Sequence, residues 1–141
     1  MVDVLSGELS YLISQSESSE LDFKSADLLI GANNEDRKKI ARNLVGFANR
    51  NGGKLVIGVD DETRRPEGKN IKQELATETI SEISRDVCSP AVRFSHDFYS
   101  SKNGDLSKGT VYVLNIKKSG DIPHAYVKRS GAEIKKREYR F

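Results

Sequence analysis

The stretch from Ile40 to Asp61 leaves this chain few ways to fold. Ile40-Ala41, Leu44-Val45 and Phe47-Ala48 recur at helical spacing and give a helix one apolar face. Asn51-Gly52-Gly53 then ends the helix, because glycine reaches the left-handed region without a Cβ penalty. Leu55 to Val59 is a short apolar run bounded by turn residues, the pattern of a strand covered on both faces. Gly58 inside that run marks a close approach of backbone. Asp60 and Asp61 follow where the strand ends. Open α/β sheets gather ligands beyond the carboxyl ends of their strands, so these two acids mark the first place to look for a site.

The flanking segments extend the same pattern. Asp3 to Ser14 sets Val4, Leu5, Leu9, Leu12 and Ile13 near one helical face, predicting an opening helix. Glu20 to Lys24 alternates, with Leu21 and Phe23 inward and Glu20, Asp22 and Lys24 on the other face of a half-buried strand. Ala26 to Asn34 reads as a loop. Asn33 or Asn34 caps the next helix, with Glu35 and Asp36 in its first turn. After a charged turn over Asp61 to Lys69, Ile71, Leu75, Ile80, Ile83 and Val87 mark a third helix, stopped by Ser89-Pro90. Val92 to Ser95 alternates, Ser100 to Gly109 is a polar loop, and Thr110 to Ile116 is strongly strand-like. Asp121 to His124 reads as a turn, Ala125 to Arg129 as a strand, and Ala132 to Phe141 as a last short element. The prediction is an α/β fold in a single domain over 1–141. It has one mixed sheet, with helices between parallel early strands and antiparallel strands at the C-terminal end.

No apolar run approaches the roughly 18 residues of a membrane span, and the N-terminus lacks a basic-then-apolar leader pattern, so no membrane partner is expected. The single cysteine, Cys88, excludes an intrachain disulfide and suits a reducing, cytoplasmic setting. His96 and His124 have no partner at metal or triad spacing and read as surface or loop residues. Gly52-Gly53-Lys54 fails as a phosphate loop, because Ala48 stands where the first glycine should be and Leu55 follows the lysine.

Two chemical signals are left. Glu17, Glu20 and Asp22 lie at the start of the first strand, and Asp60 and Asp61 at the end of the central one. If those strands are neighbours, the carboxylates converge beside Lys24. Such a cluster wants a hard divalent cation, Mg²⁺ or Mn²⁺, which can activate water for phosphodiester cleavage while a lysine steadies developing charge. The plainer reading is that the aspartates cap a turn and the glutamates line a solvated edge. The second signal is charge. Residues 117–141 hold eight Lys/Arg against three acids, a net of +5, and leave the rest of the chain at −3. Lys38 and Arg42 stud the polar face of the second helix. Lys128, Arg129, Lys135, Lys136 and Arg137 follow late in the chain, with Tyr126 available for stacking. Together they suit a polyanion, DNA or RNA, held by its backbone; the plain alternative is a set of solvated faces.

Three blocks in this order resemble the Schlafen AlbA-like domain. They are Glu17-Ser18-Ser19-Glu20-Leu21-Asp22-Phe23-Lys24, then Phe47-Ala48-Asn49-Arg50-Asn51-Gly52-Gly53 with Leu55 to Asp61, and Pro123-His124-Ala125-Tyr126-Val127-Lys128-Arg129-Ser130-Gly131. The resemblance implies a nucleic-acid-binding α/β domain. In some Schlafen members the fold is a metal-dependent endoribonuclease acting on structured RNA through three acids. Carried over by position, these are Glu17, Asp22 and Asp61, the metal ligands, with Lys24 beside them. Asp22 departs from the family's glutamate by one methylene. Strand alternation pairs Asp22 with Glu20, so the family's choice of Glu17 requires the preceding turn to curl back. The nuclease members pair two lobes in one chain, which implies a homodimer for a lone copy. Nucleic-acid binding without a cofactor is the favoured expectation. The alternatives are Mg/Mn-dependent RNA cleavage and a regulatory or protein-interaction domain without chemistry.

Overall fold

The computed structural model describes residues 5–31, 33–120 and 122–141. The first helix, α1, covers Gly7–Ser14, with the Ser6 Oγ accepting from the Leu9 N–H at 3.2 Å. The expected start at Asp3 and Val4 lies outside the described residues. Strand β1, Leu21–Lys24, alternates as predicted, burying Leu21 and Phe23. The loop after it holds a short 3₁₀ turn at Ala26–Leu28. Helix α2, Asn34–Asn49, opens on a capping box: the Asn33 side chain accepts from the Asp36 N–H at 2.9 Å, and Asp36 accepts from the Asn33 N–H.

Strand β2, Gly53–Ile57, begins two residues earlier than the apolar run suggests and ends before Gly58. Gly58 adopts φ +110°, and a Cβ there would lie 2.8 Å from the Thr110 carbonyl oxygen, the close approach the sequence signals. Helix α3 is Gln73–Asp86. Its buried face is Ala76, Thr79, Ile80, Ile83 and Ser84, which turns Leu75 out to 51% exposure rather than into the core. The residues after α3 form an unforeseen two-residue strand, β3 at Cys88–Ser89. β4 (Phe94–Ser100) is longer than its alternating start, and β5 fills Thr110–Ile116 as expected. β6 (Ala125–Ser130) and β7 (Glu133–Tyr139) close the chain as a hairpin.

β1 and β2 pair in parallel, with Asp22 opposite Leu55 and Lys24 opposite Ile57. β5 and β4 add antiparallel strands in the order β1-β2-β5-β4. The late strands are antiparallel as predicted, but they do not all join this sheet: β3-β6-β7 is a second sheet. α2 and α3 cover one face of the large sheet through Leu55, Ile57, Tyr112 and Leu114. α1 covers the other through Leu21, Phe23, Val56 and Val113. β1 is therefore an edge strand whose Asp22 and Lys24 lie on the face that α2 shares.

One side chain ties the second sheet to α2. Asn49 accepts from the His124 N–H at 2.7 Å and donates to the carbonyls of His124 (2.8 Å) and Arg140 (2.7 Å). His124 is buried rather than a surface residue, its Nδ1 lying 2.6 Å from the Pro90 carbonyl oxygen. His96 is half-buried and stacks on Tyr112 at 5.4 Å. Burial pushes the Cys88 thiol up to about 12. Among the described residues no helix is long and apolar enough to cross a membrane.

The Gly52-Gly53 turn is a tight constraint next to the first strand. Gly53 sits at φ +155°, and a Cβ there would meet the Glu20 carbonyl oxygen at 2.6 Å and Phe47 Cδ1 at 2.7 Å. Gly53→Ala should destabilise the fold by roughly 1–3 kcal/mol through the clash and the backbone strain. Urea unfolding of both proteins measures it; an unchanged midpoint would refute the close packing.

Candidate functional site

The chain before β1 doubles back along that strand's free edge. Ser18 donates its N–H to the Leu21 carbonyl at 2.9 Å, and the turn returns Glu17 beside Asp22. Both carboxylates accept from the Phe23 N–H, Glu17 Oε2 at 3.4 Å and Asp22 Oδ1 at 2.9 Å. This is the curl that pairing Glu17 with Asp22 requires. Glu20 stays apart, its carbonyl accepting from the Lys54 N–H at 2.9 Å. The hydrogen bond with Asp22 and, after it, burial hold the Glu17 carboxyl above its ordinary value.

Each acid of the pair has a cation. Lys24 Nζ lies 3.3 Å from Asp22 Oδ2, and Arg64 Nη2 lies 3.6 Å from Glu17 Oε1. Arg64 stands in a charged turn at φ +57° and carries no motif that marks it in the sequence. Its Nη1 donates to the Gln15 carbonyl at 2.7 Å, its Nε to the Asp61 carbonyl at 3.0 Å, and its guanidinium lies 4.3 Å from the Phe23 ring centroid. It fastens the turn after β2 to the end of α1 and the edge of β1.

Asp60 serves that turn. Its Oδ1 accepts from the Glu62 N–H (2.9 Å) and the Thr63 N–H (2.8 Å), which holds its carboxyl below the usual range. Asp61 is exposed, and among the described residues its link to the pair is its carbonyl's bond to Arg64. Among the described residues no three His, Cys, Asp or Glu side chains gather as a metal-holding group. In this arrangement the charge of Glu17 and Asp22 is met by Arg64 and Lys24.

The second group of expected residues forms a groove. Lys38 and Arg42, one turn apart on α2, face Tyr126 and Lys128 of β6 and Lys136 and Glu138 of β7, around a hollow of about 100 Å³. The register places Tyr126 opposite Glu138 and Lys128 opposite Lys136, so the four side chains share a face of the hairpin. Lys38 Nζ lies 5.9 Å and Arg42 Cζ 5.8 Å from the Tyr126 ring centroid. Arg42 is held in a fork by Glu138, Nε to Oε2 at 2.7 Å and Nη2 to Oε1 at 3.2 Å. That bond keeps the Glu138 carboxyl below its usual range. Among the described residues Lys38, Lys128 and Lys136 have no acidic partner. Like charges directly across a strand pair repel, so the Lys128–Lys136 pair suits an anion between them.

Arg42 also borders a neighbouring hollow of about 470 Å³ with Lys24, Ser25, Lys39 and Asn43. Through Arg42 and Lys24 the groove therefore runs on to the acidic pair at β1. Arg129, Lys135 and Arg137 are not part of it. Arg129 Nε donates to the Asp86 carbonyl (2.7 Å), Lys135 pairs with Glu133 (3.2 Å), and Arg137 reaches Ser89 Oγ (3.4 Å). The two-residue alternation of β7 and the irregularity between Lys128 and Arg129 explain the split.

A family model described as Schlafen, AlbA_2 matches residues 17–139. Among solved structures, the chain is similar to the N-terminal domain of a protein from Nitrosomonas europaea described as related to the ATP-dependent DNA helicase RecG. The TM-score is 0.59 at 19% identity, over 94% of this chain and 85% of that one. It is also similar to the DIP2311 protein from Corynebacterium diphtheriae, with TM-score 0.51 at 15% identity, over 91% of this chain and 28% of that one. These likenesses speak for the fold alone. No curated protein matches the chain.

The raised Glu17 carboxyl gives a pH signature. A proton bound more tightly in the folded state contributes stability fully below the unfolded value, and that contribution is lost as pH rises through the higher folded value. Glu17→Gln should therefore be nearly neutral near pH 4 and stabilising relative to wild type near pH 7. Urea midpoints at the two pH values decide this, and an effect that does not change with pH would contradict the pairing of Glu17 with Asp22.

Proposed function

The chain belongs to the Schlafen AlbA_2 family, and on that premise we propose that it binds DNA or RNA by the phosphate backbone, with little sequence preference. The observation that carries this reading is the convergence of Lys38, Arg42, Lys128 and Lys136 around Tyr126. Phosphates replace the missing acidic partners of the three lysines, and Arg42, already oriented by Glu138, presents its remaining N–H groups. The description of the Nitrosomonas europaea protein as related to a DNA helicase points the same way. The groove is built mostly of cations, so affinity is expected to follow charge rather than sequence.

Anisotropy titrations of a labelled oligonucleotide at several salt concentrations test this. Four cation–phosphate contacts predict a slope of log K against log salt of roughly −3 to −4. Lys128→Ala with Lys136→Ala should flatten it by about 1.5. An affinity indifferent to salt, or to both substitutions, would remove the groove from the reading.

A second reading, divalent-metal-dependent cleavage of structured RNA, is favoured by one observation, the meeting of Glu17 and Asp22 beside Lys24. With Asp61 outside that pair, the binding reading predicts that structured RNA incubated with Mn²⁺ stays intact, for wild type and for Asp61→Ala alike. EDTA-sensitive cleavage abolished by Glu17→Ala would establish the hydrolytic reading instead.

A further inference from the structure

A different hollow, of about 420 Å³, lies where β5 leaves the large sheet and is lined by Arg93, Lys117, Lys118, Ser119, Gly120 and His124 among others. Its walls are fixed by main-chain bonds. The Lys117 N–H donates to the Arg93 carbonyl at 3.0 Å, and the Ser119 N–H donates to the Ala48 carbonyl near the end of α2 at 2.7 Å. Among the described residues none of Arg93, Lys117 and Lys118 is ion-paired. Three cations around one concavity, with no acidic partner among the described residues, make a site for an anion.

The position of the cup says which anion. Lys38, Arg42 and Asn49 are four and seven residues apart, which puts them in a single file on α2, within about 40° of one another. β6 lies along that file in the opposite sense. Asn49 holds the main chain of His124, Arg42 stands over Tyr126, and Lys128 lines the groove beyond it. His124 is thus both the last residue of the file and a wall of the cup. Arg42 and Asn49 are separated by about 10 Å of helix rise. Two cations, Lys38 and Arg42, and the neutral amide of Asn49 make a file one helix face wide, the width of one strand's phosphates rather than of the two backbones of a duplex.

We infer that the Arg93–Lys117–Lys118 cup takes a further phosphate of the same single strand whose first phosphates lie in the α2–hairpin groove. The binding surface is then a linear track with two ends. This rests on the proposed backbone binding, and it adds a length requirement: a short oligonucleotide fills the groove alone, and only a longer one reaches the cup. Tracks of this kind on other folds occupy roughly 4–16 nucleotides.

The test is a length series of single-stranded oligo-dT, 4, 8, 12 and 16 nucleotides, titrated by anisotropy against three double variants. Lys128→Ala/Lys136→Ala removes groove charge, Lys117→Ala/Lys118→Ala removes cup charge, and Lys72→Ala/Lys102→Ala removes equal charge elsewhere. All six lysines are exposed, and thermal melts confirm folding. The expected result is that the groove variant weakens binding at every length. The cup variant weakens only the longer oligonucleotides, by at least about fivefold, with the salt slope lowered by about 1.4 for two lost single-strand contacts. The control variant stays near wild type. If the cup variant is silent at all lengths, or acts equally at all lengths or no more than the control, the track is overturned while the groove stands. If the groove variant is silent at every length, the groove reading falls, and the track with it.

Discussion

The arrangement of this molecule depends on how closely Gly53 lies against Glu20. With no side chain in the way, β2 starts in contact with the backbone just ahead of β1, and the Lys54 N–H reaches the Glu20 carbonyl at 2.9 Å. That contact sets the parallel register that puts Asp22 opposite Leu55 and Lys24 opposite Ile57. A shift of one residue would turn Asp22 and Lys24 under α1 and bring Leu21 and Phe23 out to the α2 side. The acidic pair, its lysine and the adjoining basic hollow all follow from one turn too tight for any other residue.

A second constraint, Asn49, works across sheets. Its amide is the only side-chain group on α2 that bonds to main chain at the entry of β6 and near the end of β7, among the described residues. Since Lys38 and Arg42 lie on the same helix face, a fixed Asn49 fixes how far they stand from Tyr126 and Lys136. The cations converge because a neutral, half-buried amide holds the open end of the hairpin against the helix that carries two of them.

Much of this was legible in the sequence, where period and turn chemistry speak for themselves. The helical spacing of Ile40 to Ala48, the Asn33 cap, the glycine turn and the Thr110–Ile116 strand were read correctly because each depends on local residues. The family blocks placed Glu17 with Asp22 where strand alternation alone preferred Glu20. What the sequence could not convey depends on distant partners. Nothing near Cys88 announces a two-residue strand, whose only reason is β6. Arg64 was hidden because its left-handed backbone and its bonds to Gln15 and Asp61 exist only once α1, β1 and the turn have met. The charge of the C-terminal segment was plain, but its division between the groove and the far face needed the register of β6 on β7. Leu75 misled because it stands five residues before Ile80, about 140° round the helix from it, while Ala76 takes the buried place one turn before Ile80.

The opposed lysines of the closing hairpin, Lys128 and Lys136, tie the folding of this segment to its ionic surroundings. Added electrolyte softens the repulsion across the two strands and so steadies the hairpin, while the same ions would loosen the hold on a phosphate backbone proposed for it. Salt would therefore act in opposite senses on the hairpin by itself and on the complex proposed for it.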